Sequence, residues 1–173
     1  MAFLARRIKK IAYWPCDKNS YINTGMISAD AVTRDLTTAN NELSWWRIDS
    51  TEEAEQVGLS FVSKLKDGMN GAIHIVMIPF EEVSKKLNLK NTPEHGDTAI
   101  IGMEQTHYDI CDLNYERLGV LGDIVAKSTS HESHMFIATF KIKKLFEKLI
   151  QYKSLGKLNI AELGEYAASK LGA

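Results

Sequence analysis

The residue types best suited to chemistry are gathered in one string, residues 107–112, which reads His-Tyr-Asp-Ile-Cys-Asp. It follows the apolar run 98–103, and this order predicts a buried strand with a polar turn behind it. Strand ends and the turns after them are common places for functional side chains. In an extended backbone His107, Asp109 and Cys111 would share one face, because side chains alternate with a period of two.

A carboxylate next to a histidine can orient the ring as a general base, and the two together can bind a metal ion. His107 and Asp109 are therefore the candidate catalytic residues of a small hydrolase. The structural alternative is simpler. In it Asp109 caps a turn, Asp112 caps the next helix, and His107 is hydrogen-bonded at the edge of the sheet.

A second pair of histidines, His131 and His134, supplies candidate metal ligands that the fold could bring to His107 and Asp109. The pair follows residues 128–130 and precedes a predicted strand, so a shared helix face is not indicated. The zincin pattern differs, since it places two histidines four apart on a helix. A divalent metal is the one cofactor that such a site would hold. The alternative is a solvated loop with no cofactor.

Two adjacent tryptophans point to binding rather than catalysis. Trp45 and Trp46 lie in a predicted strand, where neighbouring side chains point to opposite faces. One ring can then belong to the core while the other is exposed. An exposed Trp beside Arg47 would anchor a protein partner, because Trp and Arg are enriched at binding hot spots. The alternative is that both rings are buried, one on each side of the sheet.

ADP-ribosyltransferases provide a remote alternative for the function. These enzymes carry an early Arg, a Ser-Thr-Ser strand and a later pair of glutamates. In this chain the same order is present as Arg6 or Arg7, then residues 128–130, then Glu162 and Glu165. The Ser-Thr-Ser string comes too late, and the glutamates lie three apart on a predicted helix rather than two apart on a strand. The sequence therefore does not establish a resemblance to that family.

The elements that must position these groups alternate between strand and helix, which predicts an α+β fold with a central mixed sheet packed by helices. We expect a single globular domain over residues 1–173, with a helical C-terminal segment at about 141–173. Residues 3–14 are predicted as a short helix or an edge strand. Further strands are predicted at 43–48, 72–78, 98–103 and 135–140, and residues 88–97 are predicted as a polar loop.

The whole chain sets outer limits on the function. It has 173 residues, 45% of them hydrophobic, and a formal net charge of −1. That charge argues against nucleic acid as the main partner. No run approaches the roughly 20 apolar residues that span a bilayer, and no apolar stretch typical of a signal peptide follows the basic N-terminus. We read Cys16 and Cys111 as reduced thiols and expect a cytoplasmic protein.

Two functions from different classes follow from these patterns. The first is a cytoplasmic protein that binds a protein partner, as an immunity, antitoxin-like or regulatory protein does, through Trp45, Trp46 and Arg47. The lack of a glycine-rich phosphate loop, of a Gly-x-Ser-x-Gly elbow and of a Cys-x-x-Cys pair favours it. The second is the small hydrolase that uses His107 and Asp109, with or without a metal ion.

Overall fold

The computed structural model describes residues 1–9, 11–14, 28–129 and 137–173. Six strands form one sheet, and every pairing between neighbours is antiparallel. The strands, in chain order, are β1 (Phe3–Ile8), β2 (Leu43–Ile48), β3 (Ala72–Pro79), β4 (Asn88–Asn91), β5 (His107–Cys111) and β6 (Ile137–Lys141). Their order across the sheet is β4-β5-β2-β1-β3-β6.

The predicted α+β class with a central sheet is confirmed, and one detail is corrected. The sheet is antiparallel throughout its described pairings, where the sequence predicted a mixed one. The reason is the position of β1, which lies between β2 and β3. These two strands run in the same direction, but they never pair with each other. The order of elements along a chain does not reveal such an inserted strand.

Residues 3–14 were predicted as a short helix or an edge strand, and neither prediction is correct as stated. Phe3–Ile8 form strand β1, which is an interior strand, and Ile11–Tyr13 form a single 3-10 turn. Phe3 pairs with Ile48 on one side and with Pro79 on the other. Its side chains alternate between two apolar clusters, with Phe3 in one cluster and Leu4 in the other. This double-sided burial explains why an apolar start to the chain belongs at the centre of the sheet.

Helices cover both faces of the sheet. One face packs against α2 (Ala54–Ser63), α5 (Ile142–Ser154) and α6 (Glu165–Leu171), and the other against α1 (Ala29–Asp35), α3 (Phe80–Lys86) and α4 (Tyr115–Thr129). Helices α5 and α6 fall in the predicted C-terminal helical segment. Within the described part of the chain, no helix combines the length and the apolar character needed to cross a membrane.

The predicted strand at residues 98–103 is wrong, and the polar string behind it is the strand instead. Gly102 adopts the left-handed φ of 85°, which turns the chain, and a short 3-10 helix follows at Met103–Thr106. Strand β5 then contains His107 and Asp109, each 2% exposed. A search for alternating apolar residues does not detect such a strand, because some of its buried positions are polar. Strand β4 likewise lies in the predicted polar loop.

Two smaller details also differ from the sequence-based expectation. Helix α4 is capped by Asn114, whose Oδ1 accepts from the backbone N–H of Arg117 at 2.9 Å, and not by Asp112. Asp112 instead has a φ of 56° in the turn that leaves β5. The histidines His131 and His134 lie outside the described residues.

On the α2 face, no α-helix of the described chain covers the half of the sheet formed by β2 and β5. Helix α2 contacts β1, β3 and β6 on this face, while the irregular segment 92–106 packs against β2 and β5. Loops of this kind leave polar groups and clefts where helices would leave an apolar seal. The candidate site lies at this boundary between the helix-covered and loop-covered halves.

Candidate functional site

The centre of the site is the carboxylate of Asp109 on β5, which is 2% exposed. Its Oδ2 accepts from the Thr92 hydroxyl at 2.9 Å and lies 2.6 Å from His95 Nδ1. Ser44 on the neighbouring strand β2 lies opposite Asp109 in the strand register. A buried carboxylate is tolerated only when donors surround it. Asp109 meets this requirement with the side chains of Thr92 and His95.

These contacts fix where the protons are. A hydroxyl has one proton to donate, and Thr92 donates it to Asp109. His107 Nδ1, at 3.0 Å from the Thr92 hydroxyl oxygen and 2.9 Å from the Thr92 carbonyl oxygen, must then be the donor to that residue. His107 is 2% exposed, and its burial lowers the pKa of the imidazole. His107 therefore serves as a neutral donor within the network.

His95 has the opposite environment. Its side chain is 49% exposed, while its Asp109 partner is buried. An ionised carboxylate only accepts hydrogen bonds, so His95 Nδ1 carries the proton and Nε2 retains a lone pair. The hydrogen bond to Asp109 raises the pKa of His95. Burial opposes ionisation of Asp109, but the interactions with the His95, Ser44 and Thr92 side chains outweigh it and lower the pKa of the carboxyl.

Local sequence explains how His95 reaches Asp109. Pro93 opens a one-turn 3-10 helix, Pro93–His95, because its fixed φ suits a first helical position and its missing N–H costs nothing there. Gly96 ends the turn at a position where the chain packs closely against Glu104 and His107. A Cβ at Gly96 would lie 3.0 Å from the Glu104 backbone and 3.2 Å from His107 Cβ. The absence of a side chain lets the His95 turn lie directly against β5.

A groove of about 690 Å³ adjoins this network, and His95 and His107 both line it. Its walls also include Trp46 from β2 and Phe61 from α2. The charged residues that line it are mainly cationic: Arg6, Arg7, Lys9, Lys64 and Lys66, against Asp67 and Asp97. The groove is within the size range of small-molecule sites, and its charge favours an anionic ligand.

Among the described residues, Glu42, His95 and Asp109 form a group that could hold a cation, since their ligand atoms all lie within 4.8 Å of one another. The 2.6 Å between His95 Nδ1 and Asp109 Oδ2 is a hydrogen-bond distance. Two ligands about 2.1 Å from one tetrahedral ion would be separated by roughly 3.4 Å. Metal binding would therefore break this bond and move His95 away from Asp109.

The structure brings together the two predicted catalytic residues and adds the one that matters most. His107 and Asp109 are linked through Thr92, but the solvent-accessible imidazole is His95, which the sequence interpretation placed in a plain polar loop. The available signal was the Pro-Glu-His-Gly string 93–96, in which Pro and Gly confine a histidine to a single turn. Cys111 is 2% exposed and its burial raises the pKa of the thiol, which is the opposite of an activated nucleophile.

The three predicted binding residues do not share one surface. Trp45 is fully buried in the cluster that α3 and α4 close, so it offers no surface to a partner. Trp46 faces the groove, where its ring lies edge-on to His107 with 5.0 Å between centroids. Arg47 points to the opposite side of the sheet and lies over the Phe80 ring at 5.2 Å. Alternation along β2 separates them, as its pattern predicted.

Among the described residues, those of the ADP-ribosyltransferase alternative are not gathered into one site, and Ser130 lies outside the described ranges. Arg6 and Arg7 lie on β1, whereas Ser128 and Thr129 end helix α4, where each hydroxyl bonds to a carbonyl of its own helix. Glu162 and Glu165 lie in separate helical turns near the C-terminus. Comparison with protein families, with curated proteins and with solved structures finds no match for this chain.

Proposed function

We propose that this protein is a small hydrolase in which His95, oriented by Asp109, acts as the general base. The observation that supports it is a buried carboxylate bonded to Nδ1 of a half-exposed histidine at the wall of a groove. This pairing leaves Nε2 as the basic atom, and it stabilises the imidazolium that forms when the base takes a proton. A purely structural Asp–His contact would not need a ring that opens to solvent.

The reaction that these groups support is attack of water on an ester. Nε2 of His95 removes a proton from water as the water oxygen bonds to the electrophilic carbon or phosphorus. The bond to the leaving group breaks with its electron pair, and the proton on Nε2 passes to the leaving group. Asp109 holds the ring in place throughout, and Thr92 and His107 hold Asp109.

The test is hydrolysis of chromogenic esters by the purified full chain. We expect turnover of at least one of p-nitrophenyl phosphate, bis-p-nitrophenyl phosphate and p-nitrophenyl acetate. His95→Asn should lower the rate by about 10²- to 10⁴-fold, the usual contribution of a positioned base. The matched control is His74→Asn on β3, whose histidine bonds to Thr139 at 2.9 Å and should leave the rate unchanged. The proposal would be contradicted if none of the three esters were hydrolysed, or if His95→Asn kept full activity.

A metal-dependent form of the same hydrolase is the second candidate, and the Glu42, His95 and Asp109 group favours it. The two forms differ in their need for Glu42. With a metal, Glu42→Gln should abolish Zn²⁺ or Mn²⁺ binding measured by calorimetry and should abolish hydrolysis with it. Without a metal, the same variant should keep its activity in the presence of EDTA.

A protein-binding function rests on a different surface, defined by Arg47, Phe80 and Tyr108 on the α3 side of the sheet. The Phe80 and Tyr108 rings meet edge to face at 5.5 Å, and the Arg47 side chain is 43% exposed beside them. Aromatic residues with Arg are typical of hot spots. Arg47 is already paired with Asp49 at 3.3 Å, so the two rings would contribute most to binding a partner in the cytoplasm. Arg47→Glu should then abolish capture of a stoichiometric partner that the unaltered protein retains, while His95→Asn should not.

A further inference from the structure

Arg7 lines the groove and has no ion-pair partner among the residues that the structure describes. Its guanidinium carbon lies 4.0 Å above the Phe61 ring, and its Nη2 contacts the sulfur of Met69 at 3.9 Å. Its Nε is buried and has no hydrogen-bond partner among the residues that the structure describes. A buried donor without a partner costs free energy that a bound ligand can recover. No carboxylate in the described ranges forms an ion pair with this side chain.

The neighbouring cations are not equivalent to Arg7. Arg6 already donates to the carbonyl oxygens of Asp35 and Ser44, and burial lowers its pKa to about 10. Lys64 is paired with Asp97 at 2.8 Å and with Glu162 at 3.0 Å. Arg6 and Lys64 form part of the groove wall, but their donors already bond to carbonyl or carboxylate oxygens of the protein.

The remaining balance in the groove is positive. Lys9 and Lys66 are exposed, and within the described part of the chain neither forms an ion pair. Among the described residues that line the groove, the one further carboxylate is Asp67, and the buried Asp35 carboxylate acts on Arg7 from outside the lining. The smaller cavity on the other side of His95, about 480 Å³, is lined instead by acidic residues such as Glu94 and Glu104. An anion reaching His95 is therefore attracted from the Arg7 side.

We propose that the substrate carries a phosphate group and that Arg7, assisted by Lys9 and Lys66, binds it in the groove beside His95. This inference rests on the proposed function for its statement that the occupant is a substrate. Arg is suited to the role, because its planar donors match phosphate oxygens in pairs. The volume of about 690 Å³ fits a small phosphate ester, and the net charge of −1 argues against a nucleic-acid strand.

The test is titration calorimetry of the full chain with inorganic phosphate, adenosine 5′-monophosphate and a short single-stranded oligonucleotide. We expect binding of the two small phosphates in the millimolar range or tighter. Arg7→Gln should weaken both by at least about tenfold, the effect of losing a charged hydrogen bond. Arg7→Lys should weaken them less. Lys66→Gln alters an exposed side chain and should fold normally, and we expect it to weaken binding about threefold.

The matched control is Arg117→Gln, which removes an exposed arginine on helix α4 that bonds to the Asp112 carbonyl oxygen at 3.0 Å. It should leave phosphate binding unchanged. Equal losses in the Arg7 and Arg117 variants would show general charge attraction and would overturn the inference. So would binding of the oligonucleotide alone, or no phosphate binding at millimolar concentration.

The two proposals fail in distinguishable ways. His95→Asn should retain phosphate binding within about threefold, because the base is not the anion ligand. Phosphate binding in a protein that hydrolyses none of the three esters would leave an anion site and would refute the hydrolase. Hydrolysis of p-nitrophenyl acetate without any phosphate binding would keep the hydrolase and refute the phosphate inference.

Discussion

The two faces of strands β2 and β5 each carry deeply buried side chains, and the chemistry of these side chains differs between the faces. On the face toward α3 and α4, Trp45 and Ile110 are both 0% exposed in an apolar cluster. On the face toward segment 92–106, His107 and Asp109 are each 2% exposed within a hydrogen-bonded network. Burial alone therefore does not distinguish the core from the candidate site. The two are distinguished by the partners of the buried groups, which are apolar side chains in the core and hydrogen-bonding side chains at the site.

The difference has an energetic meaning. An apolar face stabilises in proportion to the area it removes from water, about 25 cal/mol per Å², and it tolerates changes that keep the volume. A polar face contributes only when every donor and acceptor is matched, so losing one partner exposes the desolvation cost of the other. On the loop-covered face, Asp109 is the buried group that is subject to this desolvation cost. His95 lines the groove on the same face.

The apolar face should show the largest effect on stability. Trp45→Ala should lower the free energy of unfolding by about 3–5 kcal/mol, the usual cost of removing a fully buried large ring. Trp46→Ala should cost clearly less, because this ring is only partly buried at the groove. Denaturant unfolding of both variants measures the contrast. Equal losses would mean that the two faces of β2 are not as different as described.

A conservative variant sharpens this result. Trp45 Nε1 is buried and has no hydrogen-bond partner in the described ranges of the chain. Trp45→Phe keeps one aromatic ring, removes that donor and leaves only a small cavity, so it should cost clearly less than Trp45→Ala. A loss as large as that of Trp45→Ala would show that the indole N–H has a partner.

The polar face should show a smaller effect that depends on pH. Asp109→Asn removes the negative charge and replaces one acceptor oxygen with an amide donor, so His95 and Thr92 lose their charged acceptor, and the change should cost about 1–3 kcal/mol. The pKa of Asp109 is lowered, so its contribution is present above the ordinary value of about 4 and is lost as pH falls through the folded value. The pKa of His95 is raised, so its contribution is present below about 6.5 and is lost as pH rises.

The difference in stability between the unaltered protein and Asp109→Asn should therefore be greatest near pH 5 and smaller at pH 3 and pH 8. Denaturant titrations at these three pH values measure it. If the stability difference between the two proteins were the same at all three pH values, Asp109 would not form an ionised pair with His95.

The smallest effect should come from the turn that holds His95. Gly96→Ala places a methyl group against Glu104 and His107, at the 3.0–3.2 Å contacts described above. The turn must shift slightly, which should lower ester hydrolysis by about tenfold, because positioning errors well below an ångström already matter for a base. Gly119→Ala is the matched control, since a Cβ there meets no atom within 4 Å. Equal activity of both variants would show that the turn does not set the position of His95.

The sequence was sufficient for the parts of the fold that follow apolar periodicity. Strands β2 and β3 were predicted within about a residue, and the alternation of β2 correctly separated Trp45 from Trp46. Helix α5 lies within the helical C-terminal segment that the sequence predicted at about 141–173. In each case burial of apolar side chains decides both the pattern and the structure, so one can be inferred from the other.

The site was only half predictable for the same reason. His107 and Asp109 were selected because ionisable groups are dense there, although the strand was placed one element too early. Their burial depends on hydrogen bonds from Thr92 and His95, which are distant in sequence and leave no periodic signal. Residues 93–96 indicate a turn from their Pro and Gly, but the packing of that turn against β5 is a tertiary contact that the local pattern does not give.

The most direct test of the site is an NMR titration of the histidine side chains, with ¹⁵N shifts that report which ring nitrogen is protonated. We expect His95 to carry its proton on Nδ1 and to titrate above the ordinary histidine pKa, and His107 to titrate below it. The rise at His95 should disappear in Asp109→Asn. A His95 with an ordinary pKa and its proton on Nε2, unchanged by Asp109→Asn, would contradict the proposed pairing and the hydrolase built on it.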